Sequence, residues 1–302
     1  MKIIRPALIV VFSIISIILT FFHNFLSVIA IIIFSLYILD KTSDDFFDEV
    51  YSFLDPDLRY ILSISLLSFI VSLDEIMVSG ASIVTGHAMI STGALMGSSA
   101  ITVVMMAVAL VSFRKRADFK SNILFIIFPV SLIFAGLVSG IPFLGTAIDF
   151  GVLIVSAIFL IYLSLKGFHF KHSPGRSKGK FRPIDAAKGA FFLVFLTIGA
   201  YLLSISAADF SDFLGLNYFV GGYLVAGVAG TLPEYFMIRD SIKNGNVEDA
   251  SGIFVGSTLM KGTIILPAIS IAFGYSFSIY NGYVLFSIIL CLALFPFLKF
   301  RN

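Results

Sequence analysis

Charge is scarce in this chain. Asp, Glu, Lys and Arg make up 13% of its 302 residues against 59% hydrophobic, too little polar material to cover a water-facing surface of that size. A soluble domain is therefore excluded. Cysteine occurs once, at Cys291, so the chain holds neither an internal disulfide framework nor a thiolate metal cluster. Tryptophan is absent and there are 34 phenylalanines, the composition of a lipid-facing surface rather than of an aromatic site. The H-E-x-x-H, G-x-S-x-G and P-loop patterns are missing too. With a formal net charge of only +2, no nucleic-acid partner is expected.

What the chain does have is apolar runs long enough to cross roughly 30 Å of hydrocarbon, which takes about 17 to 25 helical residues. We read about ten, near residues 5–22, 25–40, 59–84, 89–112, 121–139, 145–166, 186–208, 217–239, 247–273 and 278–298. The second is short and its turn at His23 and Asn24 is tight, so a hairpin or one re-entrant unit is an alternative for the first two. The first run has a basic start but is too long for a signal peptide and lacks an A-x-A site, so a retained helix is expected. Lys and Arg collect on alternate loops: Lys2 and Arg5, then Arg114, Lys115, Arg116 and Lys120, then the 166–188 segment, then Arg239 and Lys243, then Lys299 and Arg301. This places both termini in the cytoplasm, with the plasma membrane as the expected location. The acidic loop from Asp40 to Asp57 falls on the same side. The chain reads as an N-terminal half (1–166), a basic cytoplasmic connector (167–185) and a C-terminal half (186–302).

The halves repeat each other. Residues 72–110 and 231–270 superpose without a gap at an offset of 159, pairing Leu73 with Leu232, Glu75 with Glu234, Gly86 with Gly245, Gly93 with Gly252, Gly97 with Gly256 and Ser98 with Ser257. Each copy keeps a carboxylate inside an apolar run. Such groups are costly in hydrocarbon and mark functional sites by default. Glu75 lies on the third run and Glu234 on the eighth, five apart, which gives the two copies opposite orientation. Inverted repeats of this kind carry their binding site at the bilayer midplane, where Glu75 and Glu234 are expected to face each other.

The neighbours of the two acids point to cation chemistry. Ser72 and Ser79 lie three before and four after Glu75 on one helical face, and Thr231 holds the Ser72 position relative to Glu234. Gly93 and Gly97, like Gly252 and Gly256, are four apart and permit close helix packing. Ser98 with Thr102, and Ser257 with Lys261, continue those faces. Gly230 and Pro233 are expected to break the helix before Glu234 and free carbonyl oxygens.

These residues resemble the cation/calcium exchanger superfamily, which contains the sodium/calcium and proton/calcium exchangers. The second copy, G-T-L-P-E at 230–234 with G-I-F-V-G-S-T at 252–258, is the closer match; S-L-D-E at 72–75 with G-A-L-M-G-S-S at 93–99 is looser. The resemblance implies an all-α membrane protein of about ten transmembrane helices in two inverted-topology repeats (about 59–112 and 217–273) of the sodium/calcium exchanger type. It implies Glu75 and Glu234 as ion-binding carboxylates, with Ser72, Ser98, Thr102, Thr231 and Ser257 as supporting oxygens. Several family positions differ. Ala94 and Ile253 stand where the first Asn of each glycine motif belongs, Ser99 and Thr258 where the second does, Asp74 replaces the first Pro, and Lys261 stands where an amide or acid is expected.

An intramembrane Lys costs about 2.5 to 3.5 kcal/mol on insertion scales unless paired, and Glu234 is its evident partner. Lys261 is read as a tethered charge or a proton carrier, with snorkelling to the inner mouth as the plain alternative. Asp74 would restore negative charge if the helix is broken there. The expected function is secondary active antiport of a cation, Ca²⁺ exchanged for H⁺ or Na⁺, with the lipid bilayer and inorganic cations as partners and no resident cofactor. Mg²⁺ or Na⁺ transport and a passive channel are alternatives. An intramembrane enzyme is disfavoured, because the only Arg near either copy, Arg239, sits at a helix end. His87 is read as a solvated turn residue, Asp149 as interfacial, and Asp185 and Asp209 as helix-end residues.

Overall fold

Among the described residues many polar side chains are inside and many large apolar ones outside. Ile14, Ile18, Phe21, Leu26, Val194 and Phe236 are exposed, while Asp74, Glu75, Glu234, Lys261 and many serines are buried. A computed structural model describes residues 4–53, 72–113, 183–245, 250, 257, 260–265 and 268. The described residues are all helical or turn: α1 (Ile4–Leu19), α2 (Phe25–Phe53), α3 (Leu73–Val84), α4 (Ala88–Ser112), α5 (Pro183–Leu214), α6 (Tyr218–Gly221), a π-helical segment π1 (Gly222–Gly227), α7 (Val228–Lys243) and a second, π2 (Met260–Ile265). Three stretches, Phe25–Ser43, Ala88–Met106 and Ala186–Leu214, are long and apolar enough to cross a membrane. The runs expected near 121–139, 145–166 and 278–298, the connector as far as Arg182, and Asp149, Gly252, Gly256 and Cys291 lie outside the described residues.

Two sequence expectations are corrected. The acidic stretch from Asp40 is not a loop, since α2 continues to Phe53. No Gly or Pro occurs between Asp40 and Phe53 to stop it, Thr42 Oγ1 bonds back to the Ile38 carbonyl at 2.6 Å, and Phe46 packs against the core. The second correction concerns Gly230 and Pro233, which do not interrupt the helix; α7 runs through both. The irregularity lies one turn earlier, in π1, where Thr231 Oγ1 donates to the Gly227 and Val228 carbonyls at 3.2 and 2.7 Å. Pro233 lies deep in the continuous helical run from Tyr218 to Lys243, where its missing N–H removes the bond to the carbonyl four residues back.

Helix ends follow local chemistry. Asn24 opens α2, its Oδ1 accepting from Ser27 N at 2.9 Å, and Asn217 caps α6 through Phe219 N. Gly86 and Gly245, partners under the 159 offset, end α3 and α7 with φ of +82° and +85°, the left-handed conformation that Gly adopts without a Cβ penalty. The repeated sequence thus produces a repeated cap.

The chain forms two compact units. One comprises Met1–Arg59, Leu73–Ser98 and Pro174–Leu232; the other comprises Tyr60–Ser72, Ser99–Ser173 and Pro233–Asn302. In the first unit α5 packs along α2 and α3, and α1 packs on α2, around a core that includes Leu39, Val78, Ile90, Leu196, Leu203 and Val225. Small residues allow backbone to meet backbone: a Cβ at Gly93 or Gly97 would strike the backbone of Phe219 or Tyr223, and one at Gly222 would strike Ile90. In the second unit the described residues are Ser72, the end of α4, most of α7, π2 and a few single positions.

Candidate functional site

The second unit gathers three of the sequence-derived residues around the carboxylate of a fourth. Glu234, on α7, is fully buried, as are Ser257 and Lys261, and Thr102 is 1% exposed. Glu234 Oε2 accepts from Thr102 Oγ1 at 2.8 Å. Its Oε1 accepts from Lys261 Nζ at 2.5 Å and from Ser257 Oγ. Lys261 reaches it from π2, a helical irregularity of the kind that recurs at functional sites. It is buried beside an acid and does not snorkel. Thr102 and Lys261 correspond under the repeat offset, so the same position of each copy supplies a donor to the same carboxylate. An ammonium and a carboxylate in contact carry no net charge, and hydroxyls complete the carboxylate's bonding.

The first unit holds the other two acids. Asp74 and Glu75 occupy the first turn of α3, where the partial positive charge of a helix N-terminus favours carboxylates. They are 2% and 1% exposed. Asp74 Oδ1 accepts from Glu75 N at 3.0 Å, and the Glu75 side chain lies against Gly230, where a Cβ would come within 3.1 Å of its Cγ and Oε1. Gly230 is therefore a contact surface for Glu75, a role the sequence reading missed. The signal was there, since Gly230 lies one turn before Glu234 in the copy with the closer family pattern.

The remaining expected ligands are placed as follows. Ser98, fully buried, donates to the Leu95 carbonyl at 3.2 Å, and Thr231 donates to its own helix. Ser72 is fully buried. Among the described residues no group of three His, Cys, Asp or Glu is placed to hold a metal ion.

Sequence and structure comparisons fix what this arrangement is built on. Residues 189–302 match the family of sodium/calcium exchanger proteins. Nearly the whole chain, 97%, superposes on 87% of the crystal structure of the H+/Ca2+ exchanger CAX, with a TM-score of 0.67 at 12% identity. The chain carries the cation/calcium exchanger fold. The structure of native YfkE agrees, with a TM-score of 0.69 at 13% identity over 97% of this chain and 91% of that one. So does the selenium-substituted Ca2+/H+ antiporter protein YfkE, with a TM-score of 0.68 at 13% identity over 97% and 90%. No curated protein sequence matches the chain. The exchanger fold and the apolar helices together indicate an integral membrane protein.

Proposed function

We propose that this chain is a secondary active antiporter that exchanges Ca²⁺ for H⁺, with Glu75 and Glu234 as the cation-handling carboxylates. The observation that carries the reading is the buried contact between Lys261 Nζ and Glu234 Oε1 at 2.5 Å on an exchanger fold. An ammonium bound to the protein occupies the place beside Glu234 that a free cation would otherwise take. Such a device lowers the number of free coupling ions the cycle needs. It also puts a group that can release a proton beside the acid. Glu75 and Asp74, in the first unit, keep the negative charge that a divalent cation requires, with Ser72, Ser98 and Thr231 as further oxygens. Both termini are assigned to the cytoplasmic side on the distribution of Lys and Arg, with the plasma membrane as the default location.

The departures from the family pattern at Ala94, Ile253, Ser99, Thr258 and Lys261 favour one second reading, transport of another cation such as Mg²⁺ or Na⁺ on the same fold. Purified protein in vesicles loaded with Ca²⁺ separates the two. Ca²⁺ movement driven by a proton gradient alone is the expected result. Movement driven only by a Na⁺ gradient would remove the role given to Lys261, and no Ca²⁺ movement under either gradient would transfer the assignment to another ion.

A further inference from the structure

The hydroxyls beside Glu234 all find that carboxylate, but one hydroxyl on the face of Glu75 finds nothing. Ser79 follows Glu75 by four residues, so the two share one face of α3, and Ser79 is fully buried. Its Oγ has no hydrogen-bond partner among the described residues. The next hydroxyl along that face is satisfied in both directions: Ser82 Oγ donates to the Val78 carbonyl at 2.7 Å and accepts from Ser204 Oγ of α5 at 2.9 Å. A buried hydroxyl that has lost its water and gained no bond destabilises the fold that holds it. Packing alone favours an apolar residue there, and the other copy has one. Under the offset of 159 Ser79 corresponds to Ile238, which is equally buried. The copy whose acid holds the Lys261 ammonium is thus apolar at this position, while the copy with two adjacent acids carries a hydroxyl. Ser16, Ser35 and Ser91 are also buried without a partner, but none of them has an acid within one turn on its own helix.

Helix geometry says what the hydroxyl can reach. Each Cα–Cβ bond tilts toward the helix N-terminus, so the Ser79 side chain leans back to the turn that carries Asp74 and Glu75. Cβ atoms four residues apart on a helix are about 5 to 6 Å from each other. A Ca²⁺ ion bonds oxygens at about 2.3 to 2.6 Å, so one ion spans two oxygens about 3 to 5 Å apart. The Glu75 side chain lies against Gly230, where no Cβ intervenes. We propose that Ser79 is a ligand of the cation that Glu75 handles, its Oγ and the Glu75 carboxylate closing on one hard divalent ion. A neutral hydroxyl adds an oxygen without adding charge, which suits a site that already has two acids in one turn. The ion also supplies the partner that Ser79 lacks, so the cost of burying that hydroxyl falls on the empty site and is relieved on binding.

This proposal rests on Glu75 as a cation-handling acid, and its test keeps the two apart. Full-length wild type, Ser79→Ala and Ser82→Ala are compared in detergent by unfolding temperature as a function of Ca²⁺ concentration, and in vesicles by Ca²⁺ flux under a proton gradient. Ser79→Ala is expected to keep or raise the unfolding temperature without Ca²⁺ and to bind Ca²⁺ at least roughly tenfold more weakly, the scale of one bond to a charged group. Ser82→Ala, which takes a partner from Ser204, is expected to do the reverse, with a lower unfolding temperature and unchanged affinity. Wild-type affinity in Ser79→Ala, or a Ser79→Ala protein that unfolds more readily without Ca²⁺, makes the hydroxyl a packing residue and overturns the proposal while leaving Glu75 in its role. Binding of Ca²⁺ by the wild type with no flux under a proton gradient overturns the antiport reading, and the tenfold loss in Ser79→Ala then still establishes the ligand. A wild type that Ca²⁺ does not stabilise overturns both together.

Discussion

Lys261 decides how the second unit behaves at the residue scale. Removing one member of a buried ion pair leaves the other charge uncompensated, which typically costs about 3 to 5 kcal/mol. Lys261→Met is expected to lower the unfolding temperature in detergent substantially, and Lys261→Met/Glu234→Gln to recover most of the loss. A cation that takes the vacated place should then stabilise Lys261→Met and not the wild type, because a ligand at one hundred times its Kd adds about 2.7 kcal/mol. Glu234→Gln is expected to abolish flux under any gradient; it keeps the side-chain size, but its single acceptor oxygen cannot serve both Thr102 and Ser257 and it leaves the Lys261 charge uncompensated, so a lowered unfolding temperature is expected as well. Lys261→Asp should create or widen a cation site, read as Ca²⁺-dependent stabilisation. The sequence marks Lys261 by its cost in hydrocarbon. The same cost points to Glu234 as its partner, while the addition of Thr102 and Ser257 on that carboxylate is a tertiary contact.

At the scale of elements, glycine sets what packs on what. Gly93, Gly97 and Gly222 lie where any Cβ would strike backbone atoms, and backbone cannot give way as a side-chain tip can. Gly222→Val is therefore expected to prevent folding of the first unit, seen as loss of monodisperse protein in detergent. Gly86→Ala and Gly245→Ala have free space around the new methyl, so only the positive φ opposes them. Each is expected to destabilise by about 1 to 2 kcal/mol, and equally, as equivalent caps should. The sequence shows both glycine sets as repeats but does not distinguish a packing glycine from a capping one; that difference lies in the neighbours and in φ. It also overstates the effect of Gly230 and Pro233: the helix continues through both despite the backbone bond that Pro233 cannot donate, and the irregular π geometry falls on the glycine-flanked turn before them.

Across the whole molecule, polar residues are buried and apolar ones exposed, so stability depends on the bilayer as well as on internal contacts. Exposed Ile, Leu, Phe and Val on α1, α2 and α5 need lipid or detergent, and the hydroxyls and charges within need each other. Under the proposed antiport reading, gradient-driven Ca²⁺ flux draws on the acids of both units, and neither the Glu234 cluster nor the α3 acids is expected to support it alone. Glu75→Gln should therefore abolish flux as completely as Glu234→Gln, measured in the same vesicles, although the two acids belong to different units.

The membrane class, the repeat, the two carboxylates and the family resemblance come from the sequence itself, because hydrocarbon length and the cost of buried charge act on composition and spacing alone. Tertiary structure decided the rest. That Thr102 of one copy and Ser257 and Lys261 of the other meet on Glu234, that Gly230 lies against Glu75, and that Ser204 on a helix more than a hundred residues away joins Ser82 are long-range contacts. No local propensity encodes them; they exist because small residues let particular helices approach, and because buried donors and acceptors in lipid must find one another.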